Sequence, residues 1–298
     1  MDAQVDAGLP LWGGLLVFLV LLILVDLRVG SAKKHMDTRT AAIWSGIWVG
    51  ISILFGLGLL LFEGGEAGST FFAGYAMEKA LSLDNVFVFT LIFAALAVPK
   101  DEQPRVLLWG ILIALVLRTI LIFVGAEALE RYSWVAWPFA ALLAWTGYKI
   151  LKSGDEHDAG DKMVARIRKR FPDLKPAAAA LVAVAFADVI FAVDSVPAIL
   201  AITTDTFVVF AANAFALLGL RALFFLVAGA VARFAYLQTG LGVLLIAIAA
   251  KLAYGEITGD KIPVGITLGS IVLVLGVAVG ASLLKERREG RTDGPAAG

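Results

Sequence analysis

Asp188-Val-Ile-Phe-Ala-Val-Asp194-Ser-Val-Pro197 places two carboxylates and a proline inside an otherwise apolar run. Ionisable side chains at membrane depth are costly to bury, so they indicate a functional site. A second stretch, Glu78-Lys79-Ala-Leu-Ser-Leu-Asp84-Asn85, repeats the spacing between the two carboxylates inside another apolar run. The two motifs therefore predict a membrane protein organised around buried acids.

The composition supports this prediction. Of the 298 residues, 60% are hydrophobic, and the mean hydropathy is +0.89, which exceeds the values of ordinary soluble domains. The chain has no cysteine, and both histidines, His35 and His157, lie in polar connections. An intramembrane metal site must therefore use oxygen ligands. The balance of 25 basic and 25 acidic residues gives no reason to expect nucleic acid as a partner.

Apolar runs of about 20 residues, the length that crosses a hydrocarbon core, recur along the chain. They lie at 9–27, 41–62, 70–98, 104–127, 134–152, 177–203, 206–230, 236–254 and 263–284. Because the runs are continuously apolar rather than alternating, they predict helices rather than barrel strands. We therefore expect an all-α, polytopic membrane protein with about nine transmembrane helices in a single transmembrane domain, 1–298.

Lysine and arginine are concentrated in alternate connections between these runs, which predicts an outside N-terminus and a cytoplasmic C-terminus. The longest connection, 153–176, begins acidic and becomes basic. We interpret it as a solvated cytoplasmic linker with one surface helix; contact with lipid or a regulatory role is the alternative.

The two carboxylate motifs belong to a longer internal repeat. Three pairs of segments match in the same order, namely 78–86 with 188–196, 117–126 with 220–229, and 142–151 with 244–252. Helices 3–5, at about 70–152, and helices 6–8, at about 177–254, are therefore candidate repeats, with helices 9–27, 41–62 and 263–284 at the periphery. Because three spans separate the two units, they must have opposite orientations, the inverted design of many transporters.

Carboxylates six residues apart on one helix are separated by about 9 Å along the axis and about 120° around it, so one helix cannot bring both to a small ion. Because the two helices run in opposite directions, we expect Glu78 at the level of Asp194. Asp84 then lies level with Asp188. We predict a site shared between the helices, with the oxygen donors Glu78, Asp84, Asn85, Asp188, Asp194 and Ser195.

Three bases and one amide also lie within the spans. Arg118 and Arg221 are either counter-ions of the empty site or structural partners. Lys79 lies about 100° around the helix from Glu78 and is expected to point elsewhere. Asn213 is either an accessory ligand or an interhelical hydrogen-bonding residue.

Hard oxygen ligands favour manganese, magnesium or calcium over copper, nickel or zinc. The acids and bases nearly balance, which suggests that protons and the metal compete for the carboxylates. Exporting a dication against a negative interior costs about 4.6 kcal/mol per 100 mV, and exchange for protons is the simplest source of that energy. No cofactor other than the transported cation is expected. Enzymatic chemistry is not expected either, because Ser195 has no histidine to activate it.

Three segments, 78–89, 188–199 and 213–223, resemble signatures of the TerC family of integral membrane proteins, and the similarity extends over about 10–285. The resemblance implies a multi-pass bacterial inner-membrane protein of metal homeostasis, with manganese export in several members and an association with tellurium resistance. It places metal binding on Glu78, Asp84, Asp188 and Asp194. Many members carry a glutamate three residues before Asp188, where this chain has Ala185.

The leading hypothesis is a secondary transporter that exports Mn²⁺ or a similar dication, in exchange for protons, by alternating access. Its partners would be the metal ion, protons and membrane lipid, and the oligomeric state is left open. One alternative is a transporter of Ca²⁺ or another cation. The other is a membrane scaffold of a tellurite or metal stress-response complex, in which the acids hold helices together.

Overall fold

The computed structural model describes residues 5, 7–32, 37–153, 157–170, 173–227, 236–260 and 262–292. This part of the chain is all-helical, with no strand. It contains eleven α-helices: α1 (Leu9–Ala32), α2 (Thr38–Phe62), α3 (Gly65–Ala95), α4 (Gln103–Arg131), α5 (Ala136–Ser153), α6 (His157–Arg170), α7 (Pro176–Leu200), α8 (Thr206–Leu217), α9 (Leu220–Val227), α10 (Leu237–Thr258) and α11 (Val264–Thr292). A single 3₁₀ turn, Ser133–Val135, precedes α5.

Six of the described helices are long and apolar enough to cross a membrane, namely α1, α2, α4, α7, α10 and α11. The pair α8 and α9 counts as a seventh if it is one broken span. Charged residues interrupt the apolar run of α3, which is 31 residues long, and α5 has only 18 residues, including Lys149 and Lys152. The chain is therefore a multi-pass membrane protein, whereas the count of nine spans stays a prediction.

The helix expected at 206–230 is not continuous, because α8 and α9 meet at an angle of 42°. Gly219 between them has a φ of 75°, a left-handed conformation that glycine adopts readily. A Cβ atom at this position would lie 2.6 Å from the ring of Trp48 on α2. Backbone conformation and the packing of α2 thus both require glycine where the helix breaks.

Helices α3 and α7 contact each other at the centre of the bundle. Helix α8 lies beside α3, and α4 lies beside α7. The contact between α4 and α7 is close, because a Cβ atom on Gly110 would lie only 2.6 Å from Val184. Small residues at such contacts let transmembrane helices approach each other, where van der Waals packing holds them.

Helix α5 packs against α10 along much of its length. Their backbones touch where Gly147 faces Gly242, since a Cβ atom on Gly147 would lie 2.6 Å from the carbonyl oxygen of Gly242. Helices α2 and α11 pack on the outer sides of α3, and α1 contacts α8.

The expected surface helix of the 153–176 connection corresponds to α6. Val164 and Ile167 of α6 are buried and pack into the cluster that includes Phe89 and Phe93 of α3. Arg168 donates a hydrogen bond of 2.7 Å to the carbonyl oxygen of Ala95 at the end of α3. Part of the connection is therefore docked onto the transmembrane bundle.

Replacing Gly219 with alanine should destabilise the break between α8 and α9. The left-handed conformation alone costs roughly 1–2 kcal/mol for a residue with a Cβ atom, and the clash with Trp48 should add roughly 1–3 kcal/mol. Unfolding of the purified protein in detergent measures the loss. Gly259→Ala is the matched control, because Gly259 has a φ of 73° but open space around it. Equal losses for the two variants would contradict the predicted clash.

Candidate metal centre: carboxylates around Arg118

Arg118 on α4 is completely buried and joins three helices. One guanidinium nitrogen, Nη1, donates to Glu78 Oε2 on α3, and the other, Nη2, donates to Asp188 Oδ1 on α7 at 3.3 Å. Both carboxylates are 1% exposed. Two carboxylates from the two matching motifs therefore share one arginine.

Asn85 belongs to the same network. With its amide oriented so that both groups are satisfied, its oxygen accepts from Arg118 Nη2 at 3.1 Å and its nitrogen donates to the Leu81 carbonyl at 3.1 Å. The sequence suggested Asn85 as a neutral ligand of the metal, whereas here its oxygen faces the guanidinium. Asn85 and Asp188 both accept from Arg118 Nη2, so the amide lies near the Asp188 carboxylate.

Several buried oxygen atoms around this network have no hydrogen-bond partner among the described residues. They are Glu78 Oε1, Asp188 Oδ2 and Ser195 Oγ; Ser82 Oγ on α3 and both polar atoms of the Asn213 amide on α8 are likewise buried without a partner among the described residues. Ser195 lies beside the Glu78 carboxylate. Buried polar atoms are satisfied in most folded proteins, so a group of unsatisfied oxygens indicates a place for a bound ion or water. As metal ligands, these atoms are hard oxygens, which suit a small cation.

Asp194 faces a different part of the molecule from Asp188. Its Oδ1 accepts a hydrogen bond of 2.9 Å from Thr146 on α5, and its side chain is only partly buried. Six residues of helix separate the two aspartates by about 120° around the axis, which explains their different neighbours. At the level of Glu78, α7 thus offers Ser195 to the centre and turns Asp194 towards α5.

The side chain of Asp84 lies outside the described part of the structure, although its backbone belongs to α3. Among the described side chains, no group of three or more acidic or histidine residues could hold a metal ion. The shared site of four carboxylates therefore stays a prediction; of its acids, the structure brings Glu78 and Asp188 together through Arg118.

Lys79 points away from the acids, towards α8. Its ammonium group donates to the carbonyl oxygens of Ala216, at 3.1 Å, and Leu218, at 3.5 Å. The last carbonyls of a helix have no partner within the helix, so Lys79 stabilises the end of α8 where the span breaks. Asn213 lies one turn earlier on the same helix and is buried.

Arg221, which matches Arg118 in the predicted repeat, has a different partner. It forms an ion pair of 3.0 Å with Asp26 on α1 and also donates to the main-chain carbonyl of Asp26. Arg221 is therefore a structural residue in this conformation and not a counter-ion of the central acids. Asp26 is not among the residues that the sequence motifs predict; the signal that could have found it is that Arg221, buried within a span, needs an acidic partner.

Comparisons with known proteins give a consistent family. The sequence profile described as "Integral membrane protein TerC family" matches residues 63–290. A protein of Myxococcus xanthus described as an uncharacterized membrane protein is 38% identical over 318 residues, which cover 99% of each chain. The protein of Photorhabdus laumondii that is provisionally named membrane-bound redox modulator Alx is 40% identical, with 92% of this chain and 95% of that protein covered.

The Alx protein of Escherichia coli K12, which carries the same provisional name, is 38% identical over 299 residues, with 90% of this chain and 92% of that protein covered. No solved structure matches the chain.

Removing the ammonium group of Lys79 should weaken the break in the α8–α9 span. Lys79→Met leaves two carbonyls without their charged donor, and we expect the free energy of unfolding to fall by about 1.5–3 kcal/mol. Unfolding in detergent measures the loss. Lys149→Met on α5 is the control, since Lys149 is exposed and stacks over Trp145, so its loss should stay below about 1 kcal/mol. Equal effects would argue against a special role for Lys79.

The ion pair of Asp26 and Arg221 should behave as a coupled unit. Asp26→Asn leaves the buried guanidinium without its counter-charge and should cost about 3–5 kcal/mol of stability. In the Arg221→Met background the same change should cost much less, with a coupling energy within roughly 0.5–3 kcal/mol. A double-mutant cycle of unfolding free energies measures it, and additive losses would mean that the two side chains act independently.

Proposed function

Because the chain belongs to the integral membrane protein TerC family, we propose that it is a secondary transporter that exports a divalent metal cation, with Mn²⁺ as the leading candidate. The observation that carries the proposal is the buried pair of Glu78 and Asp188 on two helices, each with an oxygen that lacks a hydrogen-bond partner among the described residues. Intramembrane acids that are not fully paired are expected on ion pathways.

The choice of cation follows from the ligands. Carboxylate, hydroxyl and amide oxygens suit Mn²⁺, Mg²⁺ and Ca²⁺, and the chain has no cysteine to favour softer metals. Manganese takes precedence because the resemblance of the motifs to the family implies it. Calcium or another hard cation is the alternative within the same mechanism.

The packing of the helices supports an inverted repeat of α3–α5 and α7–α10. A pseudo-twofold axis would exchange α3 with α7, α4 with α8 and α9, and α5 with α10. The contact of α3 with α8 would then correspond to that of α4 with α7, and α5 would meet α10 at the axis; all three contacts are present. We infer alternating access by movement of one unit against the other around the carboxylates.

Energy for export must come from a coupled ion. The distribution of lysine and arginine favours an N-terminus outside the inner membrane. In either orientation of the chain, a dication that is exported moves against a negative interior. The cost is about 4.6 kcal/mol per 100 mV. Protons that replace the metal on the carboxylates would supply this energy as they return, and no bond-making chemistry is required of the chain.

A redox role is suggested only by the names of the Alx relatives. Thiol–disulfide chemistry cannot take place on this chain, which has no cysteine.

The scaffold hypothesis differs from the transport hypothesis in what it requires of the acids. A scaffold needs the ion pairs of the acids but not their unpartnered oxygens.

Glu78→Gln and Asp188→Asn should abolish manganese export in a strain that lacks the chain's own gene and is complemented with each variant. We expect the export rate to fall at least about tenfold, and cellular manganese to rise, because each change removes a negative ligand. Asp84→Asn and Asp194→Asn test the two remaining predicted ligands.

Glu66→Gln is the matched control, an exposed acid in the first turn of α3, and should export normally. An uncoupler that dissipates the proton gradient should stop export by the wild type. If the wild type changes the cellular content of no cation while its acidic variants still disturb the stress response, the scaffold hypothesis is favoured.

A further inference from the structure

We propose that the Arg118 guanidinium is a tethered counter-cation, which occupies the carboxylate pair when no metal is bound and leaves it when a divalent cation enters. The inference rests on the proposed function and concerns how the same site is kept stable between transport cycles. It assigns a role in the cycle to a residue that otherwise could be regarded as structural.

The first observation is the position of the guanidinium. Each of its two terminal nitrogens meets one carboxylate, Glu78 through Nη1 and Asp188 through Nη2. A cation shared by these two acids could bind their unpartnered oxygens, Glu78 Oε1 and Asp188 Oδ2, but because a small ion binds carboxylates at little more than 2 Å, it would lie only a few ångström from the guanidinium. Arg118 therefore stands directly beside the place that the metal would occupy.

The second observation is the charge of the site. Two carboxylates and one guanidinium leave a net charge of −1, whereas adding a dication beside the guanidinium would give a buried charge of +1. Like charges at short range in a poorly solvated interior repel each other strongly. When the guanidinium moves away from the acids, its repulsion with the dication falls and the dication neutralises the pair of acids, so exchange is favoured over close simultaneous occupancy.

The third observation is that the guanidinium is held incompletely. Its Nε has no hydrogen-bond partner among the described residues, and its remaining contact, with Asn85, is neutral. Asn85 therefore can hold one end of Arg118 after the guanidinium leaves the carboxylates, and the cost of separating the buried charges lowers the net affinity of the site for the metal. This gives Asn85 the role of a positioning residue for the arginine.

Arg221 supplies the contrast within the same chain. It matches Arg118 in the repeat but binds Asp26 on α1, and both of its contacts lie on one helix at the edge of the bundle. Removing Arg221 should harm stability without changing the competition at the carboxylates. The pair of arginines thus provides a test and its control.

Binding of Mn²⁺ to the purified full-length protein in detergent tests the proposal. Arg118→Gln should bind Mn²⁺ at least about tenfold more tightly than the wild type, a difference of about 1.4 kcal/mol, because the tethered competitor is gone. In liposomes the same variant should release Mn²⁺ more slowly, because the protein no longer has the guanidinium that displaces the metal from the carboxylates. Arg221→Gln should bind with wild-type affinity.

Unfolding in the absence and presence of Mn²⁺ keeps the test decisive if the variant is unstable. Without metal, Arg118→Gln leaves the carboxylates uncompensated and should unfold at a lower temperature than the wild type. Saturating Mn²⁺ should restore more stability to the variant than it adds to the wild type. For Arg118→Ala, added guanidinium ion should compete with Mn²⁺, and it should not do so for the wild type.

Other outcomes separate the two proposals. If the wild type binds Mn²⁺ and a folded Arg118→Gln binds it equally or more weakly, the tethered counter-cation is wrong and the transport site survives. If Arg118→Gln does not fold even with Mn²⁺, Arg118→Ala stabilised by added guanidinium ion replaces it, and Mn²⁺ binding by that variant that guanidinium ion does not weaken likewise overturns the inference. If neither the wild type nor any variant binds a divalent cation, the proposed function itself fails.

Discussion

A guanidinium buried within a membrane protein needs counter-charges close by, because leaving it unpaired in a poorly solvated interior costs several kcal/mol. Arg118 meets this constraint by drawing one carboxylate from α3 and one from α7 towards α4. The three helices are thereby fixed relative to each other at the centre of the bundle. Small residues complete the contact, since Ala183 and Ala187 of α7 are buried in the cluster that also contains Leu107 of α4.

Neighbouring residues on α3 serve two different helices. Glu78 reaches Arg118 on α4, whereas Lys79 reaches the last carbonyls of α8. The turn of about 100° between successive residues of a helix separates the two directions. One short segment of α3 therefore carries both the acid of the candidate metal centre and the base that stabilises the broken span, so the centre and the break are linked through a single backbone.

Much of the helical architecture was predictable, because a run of apolar residues must satisfy its backbone within a helix. The break in the expected 206–230 span was not, since the sequence stays apolar through Leu218 and Gly219. It depends on Trp48 and Lys79, which are distant in the sequence. The acids were predicted from the cost of burying them, but spacing alone could not show that Glu78 and Asp188 share Arg118 while Asp194 turns to Thr146.

The contact between Gly147 of α5 and Gly242 of α10 has a mechanical consequence. Because neither residue has a side chain, the two backbones meet directly, and a change in the angle between the helices requires no rotamer to change at the point of contact. Ile246 and Leu151 flank this point and lie against the opposite glycine, so sliding along the helix axes is obstructed. The geometry of this contact therefore favours rocking of α5 on α10 over translation along the helix axes.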